Sequence, residues 1–157
     1  MGELTRTQVI EIIAMNSGKK VTLRGVDLST VDLRSLDLTE ANLQYANLNS
    51  ATLHQACLDK ANLYKTRMEY ADLGEATLRG ADLREAVLIG ADFRDADLTD
   101  ADLRNTDLRS ANLRGAILIR ANFWRADLTD ANLVFAQLDG AKGLPADIDQ
   151  LINKEKY

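Results

Sequence analysis

The side chains most suited to chemistry in this sequence are one histidine and one cysteine. His54 and Cys57 are the only residues of their types among 157, and an imidazole beside a thiol is the arrangement from which cysteine nucleophiles are built. A reactive thiol also needs a cation or base close by to stabilise its thiolate. His54 is followed by Gln55, and the sequence offers no recognisable base or nucleophile network around it. The residues favour a surface histidine and a partly covered cysteine, and we expect no enzyme.

A second candidate for chemistry is the acidic run Asp95, Asp97, Asp100 and Asp102. Carboxylate oxygens are the ligands that calcium prefers. The run lacks the glycine-rich signature of calcium-binding repeats, and its members are the repeat's own Asp or Asn column together with residues at the end of each unit. A single cysteine excludes an internal disulfide and a cysteine-rich metal site. We therefore expect no metal site and no cofactor.

A five-residue repeat positions all of these residues. From Val21 the chain reads VTLRG, VDLST, VDLRS and LDLTE, and it continues without an insertion to ANLVF and AQLDG. The central apolar residue, position i, recurs at every fifth residue from Leu23 to Leu138, which makes 24 units. Position i−2 is mostly alanine from Ala41 onward, and position i−1 is mostly aspartate or asparagine.

A period of five fits neither an α-helix nor a continuous strand. On a helix five residues advance by about 500°, so the leucines would spiral around every face. On a strand an odd step changes the face each time. Within one unit, however, i−2 and i point to the same side of a short strand of roughly three residues, and the rest forms a corner. Corners of about 90° close a coil after four units, or 20 residues.

The first coil carries a signature of its own. Its four i−2 positions are Val21, Val26, Val31 and Leu36, after which the column changes to alanine. These larger residues are expected to seal one end of the stack, while alanine elsewhere lets successive coils approach at the ordinary strand spacing of about 4.8 Å.

The unit resembles the A(D/N)LXX pattern of the pentapeptide-repeat family, with Leu or Phe in the centre, from Val21 to about Ala141. The resemblance implies an all-β solenoid, a right-handed quadrilateral parallel β-helix of about six coils. The chain is similar to repeat arrays abundant in cyanobacteria and, more distantly, to bacterial proteins that protect DNA gyrase from quinolones. Eight i−1 positions depart from the pattern and are expected to disturb only the outer hydrogen bonds: Thr22, Thr52, Cys57, Arg67, Thr77, Val87, Ile117 and Gln137.

Short α-helical caps are predicted at both ends, which divides the chain into residues 1–20, 21–142 and 143–157. Thr5 and Gln8 have the spacing of a capping box, and Leu4 with Val9 that of a hydrophobic staple. A helix is therefore predicted from about Arg6 to Asn16, with Gly18 as its stop.

At the other end Gly143 replaces the expected leucine, and Pro145 is predicted to open a short helix. The apolar residues Leu144, Ile148, Leu151 and Ile152 would share one face of it. Covered ends favour a discrete particle over fibres. The protein is expected to be a monomer, or a dimer through the C-terminal helix as the resemblance to the gyrase-protecting proteins implies.

Charge and hydropathy limit the partners and the location. The net charge is −5 and the isoelectric point about 4.9, which argues against direct binding to nucleic acid or to an anionic membrane. No apolar run approaches the roughly 18 residues of a membrane span. The segment from Met1 to Asn16 lacks the features of a secretory signal. A cytoplasmic location is the expectation by default.

Residues 20 apart stack in columns on four sides, which we number 1 to 4 from the units of Leu23, Leu28, Leu33 and Leu38. Side 1 carries five basic against three acidic residues, a net charge of +2, whereas sides 2, 3 and 4 carry −3, −2 and −3. Aromatic residues and arginine are enriched at binding hot spots. The candidate binding face lies on side 1 and comprises Tyr45, Tyr64, Arg84, Arg104, Trp124 and Arg125.

These residues predict a non-enzymatic protein-interaction or scaffold module with a protein partner. The alternative is a DNA-mimicking regulator of DNA gyrase or topoisomerase, which the family resemblance suggests. DNA carries on the order of 17 negative charges over a rod of about 29 Å, whereas the net charge of this chain is only −5. A further possibility stays open, in which each arginine pairs with a neighbouring acid and the aromatic residues merely cover the ends of columns.

Overall fold

The structure, a computed structural model, describes residues 4–16 and 19–152. Helix α1 spans Arg6–Met15, the repeats form a right-handed quadrilateral β-helix, and helix α2 spans Ile148–Ile152. Parallel bridges join each i−1 residue to the one 20 positions later, from Thr22 with Asn42 to Asn122 with Lys142. The predicted coil of four units is confirmed. The predicted three-residue strands are shorter, because a single residue per unit forms the bridge and the others turn the corner.

Backbone hydrogen bonds between coils follow the same pattern in almost every unit. In the unit of Leu23, the Leu23 N–H donates to the carbonyl of Asn42 at 2.8 Å, and the Asn42 N–H donates back to Val21 at 2.8 Å. The N–H at i+2, here Gly25, donates to Gln44 at 2.8 Å. Three of the five amides of a typical unit thus bind a neighbouring coil.

The fourth amide closes the corner. The N–H of each following unit's first residue donates to the carbonyl of residue i, as Ala46 does to Leu43 at 3.0 Å. Residue i+2 has a positive φ in all 24 units, although only five of them have glycine there. A positive φ at the second central residue is the mark of a type II turn. Side chains tolerate this left-handed conformation here because hydrogen bonds fix the backbone on both sides of it.

The aspartate and asparagine column satisfies the fifth amide. At all 16 units with Asp or Asn at i−1, the Oδ1 atom accepts the N–H of residue i+1, and the distances lie between 3.0 and 3.3 Å. An unpaired amide beside a packed core would cost stability. The repeat's most characteristic polar residue is therefore a backbone partner.

Departures from Asp or Asn are compensated at two positions by the coil below. Arg67 has no carboxyl or amide oxygen, and the N–H of Glu69 instead donates to Oδ1 of Asn49 at 3.0 Å. Thr77 also lacks a carboxyl or amide oxygen, and the N–H of Arg79 in its unit donates to Oδ1 of Asp59 in the coil below at 3.0 Å. The prediction that these departures affect only the outer hydrogen bonds is confirmed there.

The core consists of inward layers of Ala at i−2 and Leu at i. Phe93 and Phe123 are its largest fully buried side chains. Thr66 and Thr106 replace alanine, and each buried hydroxyl donates to the carbonyl of Leu63 or Leu103 at 2.7 Å. The core therefore holds two polar groups at no loss of hydrogen bonding.

Helix α1 caps the first coil. The predicted capping box between Thr5 and Gln8 is present, and Asn16 follows the helix as its C-cap. Val9 is fully buried against the core. Arg6 donates to the carbonyls of Asp32 and Arg34 at 2.7 and 3.1 Å, and these edge carbonyls have no coil below them. The stop predicted at Gly18 lies outside the described residues.

The C-terminal helix begins later than predicted. The chain leaves the coil at Gly143, whose φ is +72° and where a Cβ atom would lie 2.7 Å from the Cα of Trp124. Pro145 does not open the helix, because α2 begins three residues later, at Ile148, after a turn. Leu151 is buried, whereas Leu144, Ile148 and Ile152 are partly buried against the core. The boundaries at residues 1–20, 21–142 and 143–157 stay predictions, and residues 153–157 lie outside the described part.

Replacement of Asn62 tests the role of the polar column. Asn62 accepts the N–H of Tyr64 at 3.1 Å, so Asn62→Ala should lower the free energy of unfolding by about 1 kcal/mol. Asn62→Asp keeps the acceptor and should cost less than half of that. Thr52→Ala, at a column position without this bond, is the matched control. Urea unfolding measures all three, and equal effects of Asn62→Ala and Thr52→Ala would contradict the assignment.

The same column predicts a loss of stability in acid. Hydroxyl and amide donors at Ser29, Thr39 and Thr129 hold the pKa values of Asp27, Asp37 and Asp127 below the ordinary value of 3.8. A lowered folded-state pKa stabilises the fold above the unfolded-state value, and the gain disappears as the pH falls through the folded-state pKa.

The melting temperature should therefore stay level from about pH 7 to 5 and fall below about pH 4. A triple variant with Asn at Asp27, Asp37 and Asp127 should fall less steeply in differential scanning calorimetry. Parallel curves for both proteins would show that these carboxylates do not carry the effect.

Candidate functional site

Two tyrosines form the N-terminal half of the candidate face on side 1. The rings of Tyr45 and Tyr64 meet edge to face, with centroids 5.8 Å apart and planes at 81°. The guanidinium of Arg24 lies 5.0 Å from the Tyr45 ring, and that of Arg84 lies 5.7 Å from the Tyr64 ring. Both separations are in the range of cation–π contacts. The face thus begins with a stacked aromatic and cationic cluster.

Polar contacts fix the Tyr64 ring. Its hydroxyl donates to Oε1 of Glu85 at 3.0 Å, and the ammonium of Lys65 lies 3.2 Å from Oε2 of Glu85. Hydrogen bonds from Lys65 and Tyr64 hold the pKa of Glu85 below its ordinary value. Glu85 therefore remains a carboxylate at neutral pH and anchors both neighbours.

Arg84 and Arg104 each form a two-pronged pair with the aspartate two residues earlier. Nε and Nη2 of Arg84 bind the two oxygens of Asp82, both at 2.7 Å. Arg104 binds Asp102 in the same way at 2.8 and 2.6 Å. The pair with Asp82 raises the pKa of Arg84. The possibility that arginines pair with neighbouring acids is realised at both positions.

Sequence reasoning left this pairing open and did not use its signal, which is the short motif Asp-Leu-Arg. Residues i−1 and i+1 point outward together, so their side chains meet over the intervening leucine. The motif recurs with the same pairing on sides 2 and 3, at Asp107 with Arg109 and Asp32 with Arg34. On side 1, Asp82 and Asp102 thus neutralise two of the five cations, and Glu85 pairs with a third, Lys65.

The C-terminal half of the face is open. The side chain of Trp124 is 61% exposed, and Arg125 beside it makes no ion pair within residues 4–16 and 19–152. Arg104, Asn105, Asn122, Trp124 and Arg125 line a shallow depression. The structure thus brings Tyr45, Tyr64 and Arg84 together in one cluster, and Arg104, Trp124 and Arg125 in a second one farther along the same side.

His54 and Cys57 lie on different sides with different neighbours. On side 3 the nitrogens of His54 are each 3.8 Å from a carboxylate oxygen, of Asp72 and Glu75. On side 4 the Cys57 sulfur is 3.0 Å from the Thr39 hydroxyl and 3.4 Å from that of Thr77. Neither of these neighbourhoods is an imidazole and thiol pair.

Three of the four aspartates in the acidic run pair with arginines. Asp97 binds Arg79 and Asp100 binds Arg120, both at 2.6 Å, while Asp102 binds Arg104. No group of three or more His, Cys, Asp or Glu side chains among the described residues is arranged to hold a metal ion. Within the same residues, no helix combines the length and hydrophobicity needed to cross a membrane.

Comparison with known protein families identifies the family to which the repeat belongs. A model described as pentapeptide repeats matches residues 32–69, 71–110 and 106–142 with eight copies, which is more than half of the chain. The chain belongs to the pentapeptide repeat family. The resemblance predicted from the sequence is confirmed. No curated protein matches the chain.

Several solved pentapeptide repeat proteins are similar to it. HetL of the cyanobacterium Nostoc sp. strain PCC 7120, which is involved in the regulation of heterocyst differentiation, is 33% identical over 76% of this chain and 73% of its own, with a TM-score of 0.41. The alr5209 protein from Nostoc PCC 7120 is 27% identical over 87% and 98%, with a TM-score of 0.54. Rfr23 of Cyanothece 51142 is 24% identical over 87% and 97%, with a TM-score of 0.55. The alr5209 structure confirms the cyanobacterial likeness, and the alr5209 and Rfr23 structures confirm the solenoid fold.

Substitutions at the neighbouring residues Phe123 and Trp124 should show which side chain stabilises the fold and which is free for recognition. Trp124→Ala removes an exposed side chain and should change the free energy of unfolding by no more than about 0.5 kcal/mol. Phe123→Ala empties a core layer at the adjacent position and should cost about 3 to 5 kcal/mol. Urea unfolding of both variants checks the contrast. A large loss for Trp124→Ala would mean that the indole serves the fold rather than a partner.

Proposed function

We propose that this pentapeptide repeat protein is a non-enzymatic interaction or scaffold module that binds a partner protein through side 1. The observation that carries the proposal is the exposed Trp124 between Arg104 and Arg125, above a shallow depression. Tryptophan and arginine are the residues that most often dominate binding energy, because they bury large areas or form directed hydrogen bonds. An indole left in water on a rigid surface favours a role outside the fold.

The rigidity of the face supports the same role. Arg84 and Arg104 use Nε and Nη2 for their aspartates, which leaves the Nη1 donors for a ligand. Tyr64 is held by Glu85. Side chains fixed before binding lose less conformational entropy when a partner arrives. The ion pairs therefore reduce the net charge of the face but order its binding groups.

Its length also suits a protein partner. Arg24 lies on the first coil and Arg125 on the sixth, so side 1 extends over about 24 Å at the ordinary strand spacing. Arg24 binds Gln44 and faces Tyr45, and neither Arg24 nor Arg125 pairs with an acid among the described residues. A partner with carboxylates at both ends of its contact surface would complement these cations.

The surroundings of His54 and Cys57 support the non-enzymatic role. Nucleophilic catalysis needs the base within hydrogen-bond reach of the nucleophile. The Cys57 sulfur contacts threonine hydroxyls, and His54 is near carboxylates on another side. Their contacts fit a solvated surface.

The alternative of a gyrase regulator that mimics DNA is less well supported. A mimic needs a continuous run of uncompensated negative charge. Here arginines neutralise aspartates on all four sides, for example Asp82, Asp107, Asp92 and Asp97. We therefore rank a protein partner for side 1 above this role.

An affinity pull-down from a lysate of the source cell tests the proposal. Three baits are compared. One is the wild type, the side 1 variant carries Ala at Arg104, Trp124 and Arg125, and the matched side 2 variant carries Ala at Arg67, Tyr70 and Arg109. We expect a partner that the wild type and the side 2 variant retain and the side 1 variant loses. Calorimetric titration of the recovered partner should show a loss of affinity of at least about tenfold for the side 1 variant alone.

Equal recovery by all three baits would exclude side 1 as the binding face. If the proteins retained by all three were topoisomerase subunits, the gyrase alternative would take precedence. Circular dichroism of each bait at the working temperature ensures that a lost partner does not reflect an unfolded protein.

A further inference from the structure

We propose that the C-terminal edge of side 2 is a second binding site, where an extended basic segment of a partner protein adds one strand residue to the last coil. The site lies between the backbone of residues 126–130 and the segment of residues 145–151, and these two walls enclose a depression. It does not involve side 1, so it stands apart from the face proposed above.

Unpaired backbone groups mark the edge. The carbonyl of Ala126 and the N–H of Leu128 accept and donate no hydrogen bond within the described residues 4–16 and 19–152. In every coil below, the equivalent carbonyl on side 2 accepts an N–H from the next coil and the equivalent N–H donates to it, as at Ala86 with Asp107 and Leu88 with Asp107. A pair of such groups on an exposed edge is what an added strand recognises.

The chain itself shows how the edge is completed on side 1. There Lys142 extends the sheet by one residue: its N–H donates to Ala121 at 2.9 Å and its carbonyl accepts from Phe123 at 2.7 Å. On side 3 the carbonyl of Leu151 in α2 accepts from Leu133 at 3.2 Å. Side 2, which lies between them, lacks either kind of cover among the described residues.

The same geometry defines the occupant. The residue before Lys142 is Ala141, which is at position i−2. A small residue at that position lets an added strand approach at the ordinary strand spacing. A leucine at i would pack against the partly buried Ala126. Exposed carboxylates of Asp127 and Asp147 flank the depression, which favours lysine or arginine at the outward positions. The site therefore fits a segment of the pattern Ala-Lys-Leu-Lys-Gly.

Side 4 carries the same two unpaired groups, at Ala136 and Leu138, within the part of the chain that the structure describes. The second wall and the acidic margin single out side 2. A peptide held there forms hydrogen bonds to one side and packs against Pro145 and Leu151 on the other.

Fluorescence anisotropy with a labelled peptide Gly-Ala-Lys-Leu-Lys-Gly tests the proposal on the full chain. We expect a dissociation constant below about 1 mM. The same peptide with an N-methyl group on its first lysine keeps every side chain but loses the N–H meant for Ala126, and it should bind at least about tenfold more weakly. Equal binding of the two peptides, or no binding at about 1 mM, would overturn the proposal.

Two variants of the protein locate the site. Asp147→Lys should weaken the unmodified peptide about fivefold, whereas Asp139→Lys, an equal charge reversal on side 4 of the last coil, should leave binding unchanged. Equal weakening by both would reduce the effect to net charge and refute the location. Sedimentation equilibrium covers the remaining occupant: a dimer that the peptide dissociates would assign the edge to a second copy of this chain and overturn the proposed foreign partner.

Discussion

Every feature of this molecule depends on how a five-residue unit satisfies five backbone amides. Three of them bind a neighbouring coil, one closes the turn, and the fifth is taken by the Asp or Asn side chain of the same unit. A buried or half-buried amide without a partner is costly, so the arrangement fixes both the length of the unit and its most frequent polar residue. The leucine core is then stacked by the backbone rather than the reverse.

This constraint also organises the surface. Because i−1 and i+1 point outward together, the aspartate that accepts a backbone amide can bind an arginine at the same time, as Asp82 does with Arg84. Side chains on such a surface are held in place, and the charge of the columns is largely compensated. The groups that stay available are those outside this pairing, notably Trp124 and Arg125 near the last coil.

The register of the coils could be read from the sequence because it rests on repetition. Leu23, Val21 and the residues in their columns occupy equivalent positions in every coil, so one local argument covers the whole solenoid. The helix α1 was also predictable, since Thr5 and Gln8 form a local capping box.

What could not be predicted depends on contacts without periodicity. The edge-to-face contact of Tyr45 and Tyr64 depends on rotamers that neighbours across coils select. The start of α2 depends on where the chain can leave the stack at Gly143, and no repeat specifies that point. The candidate face follows from the 20-residue spacing that places its residues on one side. That spacing gives no information on which cations are neutralised.

The four-sided coil has a consequence for how such a chain can lengthen during evolution. One duplicated unit would preserve the core and all backbone bonding, yet it would rotate every later residue by a quarter turn, and Trp124 would move to the side next to that of Tyr64. Only the gain of four units at once keeps the columns aligned. Genes for such proteins can therefore vary freely in steps of 20 codons, whereas a change of five codons leaves the fold intact and rewrites the surface.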